Sequence, residues 1–180
     1  MYFDSFPIIP YGSTDGTVKN VTNLLRRVAI RTKVKSNAAL FDTYDVKNGE
    51  TPEIIADKLY EDPELHWVVL MVNNVTDRYH DWPMSEQQFN SYLNEKYSDP
   101  DGIHHHEISQ ESGDTTQKIE VYDPDLISSD TDAYTSATAI TNREYEESEQ
   151  DKKRKIRLLD PEFIDQFVDE FKNLMKESII

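Results

Sequence analysis

Three consecutive histidines, His104-His105-His106, are the residues whose type most directly suggests chemistry, because neutral imidazole is a common metal ligand. Successive side chains of an extended segment point to opposite faces, so three adjacent rings do not readily converge on one ion. His104 and His106 would share a face, but the chain contains no cysteine to complete a ligand set. The expectation is a solvated strand and no metal. With 35 Asp and Glu residues some carboxylate pair is always at hand, so a pair alone says nothing about glycan cleavage. No Gly-x-Ser-x-Gly elbow, His-Glu-x-x-His helix, P-loop or dinucleotide fingerprint occurs. The chain therefore reads as a non-enzyme that needs no cofactor. Two tryptophans are candidate sugar platforms. Trp67 lies within an apolar run and reads as core. Trp82 follows Tyr79 and His80, precedes Pro83, and is equally suited to cover an edge or to anchor a partner chain.

The elements that would carry these residues follow from pattern. Phe3, Phe6, Ile8, Ile9 and Tyr11 are interrupted by Pro7 and Pro10, which forbid a regular helix, so residues 1–20 read as an extended apolar arm. Residues 21–35 are open between a basic helix and a strand, with alternation at Val28, Ile30, Thr32 and Val34 favouring a strand in the second half. Tyr44 and Val46 alternate in a strand that ends at Asn48-Gly49. Thr51 is an N-cap with Pro52 at the first helical position. Asp62-Pro63-Glu64 repeats that start signal before an almost wholly apolar helix through Val72, which must be buried on several sides. Ser85 and Gln88 form a capping box for a third helix bearing Phe89, Tyr92, Leu93 and Tyr97. Ile103–Ser109 and Gln117–Tyr122 suit a hairpin, residues 123–142 read as a long surface loop, and Arg143–Gln150 as a short helix. Lys155–Leu159 alternates as a strand. After Asp160, Phe163, Phe167 and Phe171 share one helical stripe with Ile164, Val168, Leu174 and Met175.

At 180 residues the chain suits one domain with extensions or two small ones. Its mean hydropathy of -0.73 and the lack of any long apolar run argue against a membrane span, and Met1–Tyr11 lacks the basic start of a signal peptide. A net charge of -16 disfavours nucleic acid as a partner. The charge is segregated. Gly16 to Phe41 holds Lys19, Arg26, Arg27, Arg31, Lys33 and Lys35 and no acid, whereas Asp123 to Asp151 holds nine carboxylates and only Arg143. Such blocks suit a chain that docks on complementary neighbours. The residues expected at such contacts are Phe3, Phe6, Ile8, Tyr11, Arg26, Arg27, Arg31, Tyr79, Trp82, Phe163, Phe167 and Phe171.

Tyr44-Asp45-Val46, Gly49-Glu50-Thr51, Ile55-Ala56, Leu70 and Asn73 or Asn74 together resemble the first two-thirds of a LysM module. The resemblance implies a strand–helix–helix–strand centre with adjacent strands, and a residual glycan loop at Gly49, Glu50, Thr51 and Pro52. Such modules close with a glycine turn and a strand, and Asn74–Trp82 has no glycine, so the closing strand is left open. Pro52, Glu53, Ala56, Tyr60, Pro63, Leu65, Trp67-Val68, Leu70-Met71, Asn73, Asp77, Tyr79 and Trp82 are similar to the LysM-containing wedge protein of contractile-tail phage baseplates. This resemblance implies a structural subunit of the virion, assembled in the host cytoplasm, whose partners are other wedge subunits. The alternative is a LysM-type module binding peptidoglycan. The fold expected is α+β: an arm and basic segment over 1–41, a LysM-like module and following helix over 42–98, a hairpin and acidic loop over 99–151, and a peripheral strand and amphipathic helix over 152–180.

Overall fold

A computed structural model describes residues 2–12, 14, 16–25, 28–30, 37–109, 118–122 and 137–177. In chain order the strands are β1 (Ile8–Gly12), β2 (Val18–Thr22), β3 (Phe41–Asp45), β4 (Ile103–Ser109), β5 (Lys118–Val121), β6 (Thr138–Thr141) and β7 (Lys155–Leu159). The helices are α1 (Pro52–Tyr60), α2 (His66–Val72), α3 (Arg78–Asp81), α4 (Glu86–Lys96), α5 (Asn142–Arg154) and α6 (Ile164–Glu177), with short 3-10 turns at Tyr2–Ser5, Ala38–Leu40, Pro63–Leu65 and Pro161–Phe163. The fold is α+β, as expected. The chain divides into two compact units: Met1–Trp82 together with Arg154–Ile180, and the inserted stretch Pro83–Lys153.

The first unit is organised by an antiparallel pair in which Phe41–Asp45 runs against Lys155–Leu159. The segment after Asn74 therefore does not supply the closing strand. It forms α3, and the strand expected at the periphery of the chain closes the centre instead. The reason is apolar content: Ile156, Leu158 and Leu159 are all buried, whereas Thr76-Asp77-Arg78-Tyr79-His80-Asp81 offers no comparable face. Between the two strands in sequence lie the two expected helices. Thr51 caps α1 by accepting from the Ile54 amide at 3.4 Å, and Pro52 occupies the first turn. Asp62 caps the next turn through the Glu64 amide at 2.8 Å, and α2 follows with Trp67, Val68, Val69 and Val72 buried.

Two apolar clusters result. One joins Val46, Ile55, Ala56, Val69, Trp82, Ile156 and Leu158, and so ties α1 and α2 to β7. The other joins Phe6, Trp67, Val68, Val72, Leu159, Phe171 and Met175, bringing the N-terminal turn and α6 onto the opposite part of α2. The Phe171 ring lies 4.5 Å from Trp67 and 5.5 Å from Tyr2. Asn73, just past α2, closes the remaining edge of β7. Its carboxamide oxygen accepts from the Arg157 amide at 2.8 Å and its NH2 donates to the Arg157 carbonyl at 2.8 Å and to Val69 at 2.9 Å. A side-chain amide thus stands in for a third strand. The residues expected to form an extended apolar arm comprise a turn at Tyr2–Ser5, the buried Phe6, and the antiparallel hairpin of β1 and β2.

The second unit holds the three-stranded antiparallel sheet β5-β4-β6 with α4 and α5. The β4–β5 pairing is the expected hairpin. Part of the expected loop is β6, which pairs with β4. Thr138–Thr141 is too short to show a period beside its Ser/Thr/Asp-rich approach. Helix α5 extends past the expected Arg143–Gln150, and its buried residues, Glu146 and Gln150, are polar. Thr141 and Glu144 cap it reciprocally, Glu144 donating its amide to Thr141 Oγ1 at 3.2 Å and accepting the Thr141 amide at 2.8 Å.

Replacing Phe171 with Ala is expected to lower stability by about 3–5 kcal/mol, read as a shift in urea unfolding of the full chain followed by tryptophan fluorescence, because Trp67 and Trp82 both belong to the first unit. Asn73→Ala removes the side chain that bonds the Arg157 amide and carbonyl and is expected to cost about 0.5–1.5 kcal/mol in the same assay.

Candidate interaction surface

Glu50 holds the β3–α1 connection together. Its carboxylate accepts from Tyr44 Oη at 2.8 Å, the Lys47 amide at 2.9 Å and Lys58 Nζ at 2.6 Å, while its carbonyl accepts from Trp82 Nε1 at 2.9 Å. Gly49 precedes it at φ +77°, the left-handed region that favours glycine. Thr51 is engaged as a cap and Pro52 is buried. The four residues expected to form a glycan loop therefore have their main polar groups turned to holding the loop itself. Burial pushes the Glu50 carboxyl up, but the hydrogen bonds from Lys58, the Lys47 amide and Tyr44 outweigh it and hold the group below the ordinary glutamate value.

The structure separates the expected contact residues into two sets. Phe6, Trp82 and Phe171 are buried in their own unit. Phe6 and Phe171, expected at partner contacts, have apolar neighbours within the unit, and Trp82, expected equally to cover an edge or to anchor a partner, is packed there too. Phe163 and Phe167 are half-buried against the cluster around Phe171, and the Phe167 ring stacks 6.0 Å from Trp67. Phe3, Ile8, Tyr11 and Tyr79 remain exposed. Arg26, Arg27 and Arg31 lie outside the described residues. Exposed residues that pattern reading passed over are Val18, Leu24 and Leu25.

Tyr79 is 87% exposed, on a turn that is rigidly built. Asp77 caps α3 through the Tyr79 amide at 2.9 Å and accepts from His80 Nδ1 at 2.6 Å. Asp81 accepts from the Thr76 and Asp77 amides at 3.1 and 3.0 Å. Arg78 reaches back to Glu53 on α1 at 3.0 Å. An aromatic ring presented on a turn whose backbone is fixed loses little freedom when it docks.

In the second unit the histidine run does something other than expected. A register irregularity between Ile103 and His105 breaks strand alternation, so neighbouring rings meet: His104 Nδ1 lies 2.8 Å from His105 Nδ1. His104 stacks on Tyr145 at 4.0 Å, and His105 on Tyr122 at 5.4 Å. His105 is buried rather than solvated. Among the described residues no group of three or more His, Asp or Glu side chains is arranged to hold a metal ion. Burial first, then the His105 charge, holds His104 below the ordinary imidazole value. Nearby, buried Glu146 accepts from Lys96 Nζ at 2.6 Å, Tyr97 Oη at 2.8 Å and Tyr92 Oη at 3.3 Å, which fastens α5 to α4. Nothing in either cluster pairs a nucleophile with a base in an open cleft.

What the described residues present is a scaffold with exposed apolar residues on ordered elements, the features of an assembly subunit. Comparison with known proteins gives that class a family. The family model for base plate wedge protein 53 matches residues 1–136, and the chain belongs to that family. The baseplate wedge protein gp53 of Enterobacteria phage T4 is 35% identical over 60 residues, covering 33% of this chain and 31% of the T4 protein. The match thus spans about a third of the length of that relative. Strand β7 and helix α6 lie beyond the residues the family model matches.

The Glu50 carboxyl titrates lower in the folded chain than in the unfolded one, where a glutamate titrates near about 4.3. Its contribution is therefore complete above that value and lost as pH falls through the lower folded value. Urea midpoints followed by tryptophan fluorescence should fall as the solution is acidified below about pH 4, and fall less steeply in Glu50→Gln. Equal slopes in the two proteins would show that Glu50 contributes nothing.

Proposed function

We propose that the chain is a structural, non-enzymatic subunit of a contractile-tail phage baseplate, located in the virion and joining neighbouring wedge subunits through protein–protein contacts. The observation that carries this reading is the set of exposed apolar side chains on hydrogen-bonded elements of the first unit, with Tyr79 foremost. Large exposed apolar residues on fixed backbone are what a docking partner can bury at low entropic cost. Membership of the base plate wedge family supplies the context. We take the centre to be LysM-like in the order of its elements, strand–helix–helix–strand, with the last strand delivered after the inserted unit. Its role in this reading is packing, because the Gly49–Pro52 loop is occupied with its own hydrogen bonds.

The test is incorporation. A phage expressing a tagged copy of the chain should carry it in isolated baseplates, and loss of the gene should leave tails without assembled baseplates. Tyr79→Ser should change stability by less than about 0.5 kcal/mol yet reduce incorporation. Absence of the chain from purified virions would overturn the reading, as would binding of N-acetylglucosamine oligomers that is lost when Gly49–Pro52 is altered and that accompanies normal baseplates without the chain.

A further inference from the structure

Successive side chains of a regular strand point to opposite faces, yet at the register irregularity of β4 His104 and His105 bring Nδ1 to within 2.8 Å of Nδ1. At that separation a single hydrogen fits between the two nitrogens, so one ring donates and the other accepts with its lone pair. His105 is 3% exposed, and its Nε2 has no hydrogen-bond partner among the described residues. A Glu107 carboxylate oxygen lies 3.7 Å from that nitrogen. The negative charge favours a hydrogen on Nε2, which leaves His105 Nδ1 as the acceptor and His104 Nδ1 as the donor.

The pair belongs to a cluster of rings that joins β4 to α5 and to the end of β5. His104 stacks on Tyr145 of α5 at 4.0 Å with the planes 8° apart, and His105 stacks on Tyr122, just past β5, at 5.4 Å. Charged groups face the pair from each of these elements. On β4 it is Glu107, itself bonded to Lys118 of β5. Glu120 of β5 accepts from Tyr122 Oη at 2.7 Å. Glu146 of α5 is bonded to Lys96 of α4. Strand β6, Thr138–Thr141, brings no titratable side chain. Glu146 and Glu120 favour a charged His104, but burial and the neighbouring ring outweigh them and hold it below the ordinary imidazole value.

We propose that the His104–His105 pair is a proton-sensitive latch of the second unit, closed while a single hydrogen lies between the rings and opened when acid supplies one to both contact nitrogens. This goes beyond the assembly role and does not depend on it. A first added proton goes to His104 Nε2, the ring nitrogen left with a lone pair, and the shared hydrogen stays in place. A second has to go to His105 Nδ1, where it meets the His104 Nδ1 hydrogen across 2.8 Å. The rings must then part, and the stacks on Tyr145 and Tyr122 part with them. In the unfolded chain each ring takes up its proton independently near about pH 6.5. Below that value the unfolded chain therefore binds more protons than the folded unit, and stability falls with pH. The contribution of the pair is complete above about pH 6.5 and is lost progressively below it. Glu50 in the first unit answers only to stronger acid, below about pH 4.

The experiment follows hydrogen exchange of the full chain by NMR from about pH 7 to about pH 5, corrected for the intrinsic pH dependence of exchange. Protection of the β4 and α5 amides should fall by about threefold or more over that range, while the amides of β3 and β7 should not lose protection. His104→Phe combined with His105→Phe keeps rings against Tyr145 and Tyr122, removes both proton sites, and should flatten the fall. Imidazole nitrogen shifts of the unaltered chain supply a readout that needs no variant: the folded unit should never hold both rings charged. Unchanged protection of β4 and α5 across the range would overturn the latch. An equal fall in the double variant would assign the effect to other groups, and two charged rings in the folded unit would show that the contact tolerates a second hydrogen; either result overturns the proposal.

Discussion

The pairing of Phe41–Asp45 with Lys155–Leu159 is the constraint from which the rest of the first unit follows. The two strands are separated by a whole inserted unit, yet the entropy of closing a long loop grows only with the logarithm of its length. The insertion is therefore tolerable provided the pair buries enough when it forms. It does so on both sides. Ile156 and Leu158 meet Ile55, Ala56 and Val69, while Leu159 meets Trp67, Val68 and Phe171. Without β7, α1 and α2 would have no common partner, and the Val46 amide would lose its bond to the Arg154 carbonyl at 2.9 Å. Contacts at such sequence separation are costly to form, and the caps at Thr51 and Asp62 fix the local helices on which they close.

How much of this could be read from residues alone depends on where each signal is stored. The helix starts at Thr51-Pro52, Asp62-Pro63 and Ser85-x-x-Gln88 were legible because capping is a short-range code, and each cap is present as expected. The strand at Lys155–Leu159 was legible from alternation, but its partner was not, because pairing across an insertion leaves no local trace. The N-terminal arm meets the same limit. Prolines at 7 and 10 forbid a helix, and they equally permit an edge strand whose outward residue is Pro10. Helix α5 was read short because the helical period was sought in apolar residues. Its inward positions are Glu146 and Gln150, four residues apart, satisfied by Lys96, Tyr97 and the Met84 amide. The Thr141-x-x-Glu144 box before it was present to be read.

The candidate contact residues teach the same lesson about aromatic side chains. Composition identified which rings were available, but only packing decides which are already covered. Trp82 is the clearest case. Its position on a polar loop beside Tyr79 and His80 suits covering an edge and anchoring a partner equally. Its indole N–H instead finds the Glu50 carbonyl, and its ring completes the cluster around Ile55. A buried tryptophan needs a partner for that N–H, and the tight turn at Gly49 brings a carbonyl to it. Tyr79, three residues earlier, has the opposite fate because Asp77, Arg78 and Asp81 tie down the turn on which it stands. Fixing Trp82 inward and the turn backbone in place leaves Tyr79 no inward position of its own.

An assembly subunit has to reconcile two demands that pull against each other. It needs enough buried surface to fold before its partners arrive, and enough exposed apolar surface to bind them afterwards. Here the two are kept on different elements. The pair β3–β7, the helices α1, α2 and α6 and the Phe6 turn carry nearly all of the buried side chains of the first unit. The hairpin and α3 carry Ile8, Tyr11, Val18 and Tyr79, all exposed, and neither is needed to complete a cluster. Charge reinforces the separation. The net charge is -16, yet the stretch from Gly16 to Phe41 holds six basic residues and no acid, so charge is segregated along the chain. Blocks of opposite sign orient a docking partner more than they hold it, which leaves the apolar side chains on those exposed elements to supply the contact area.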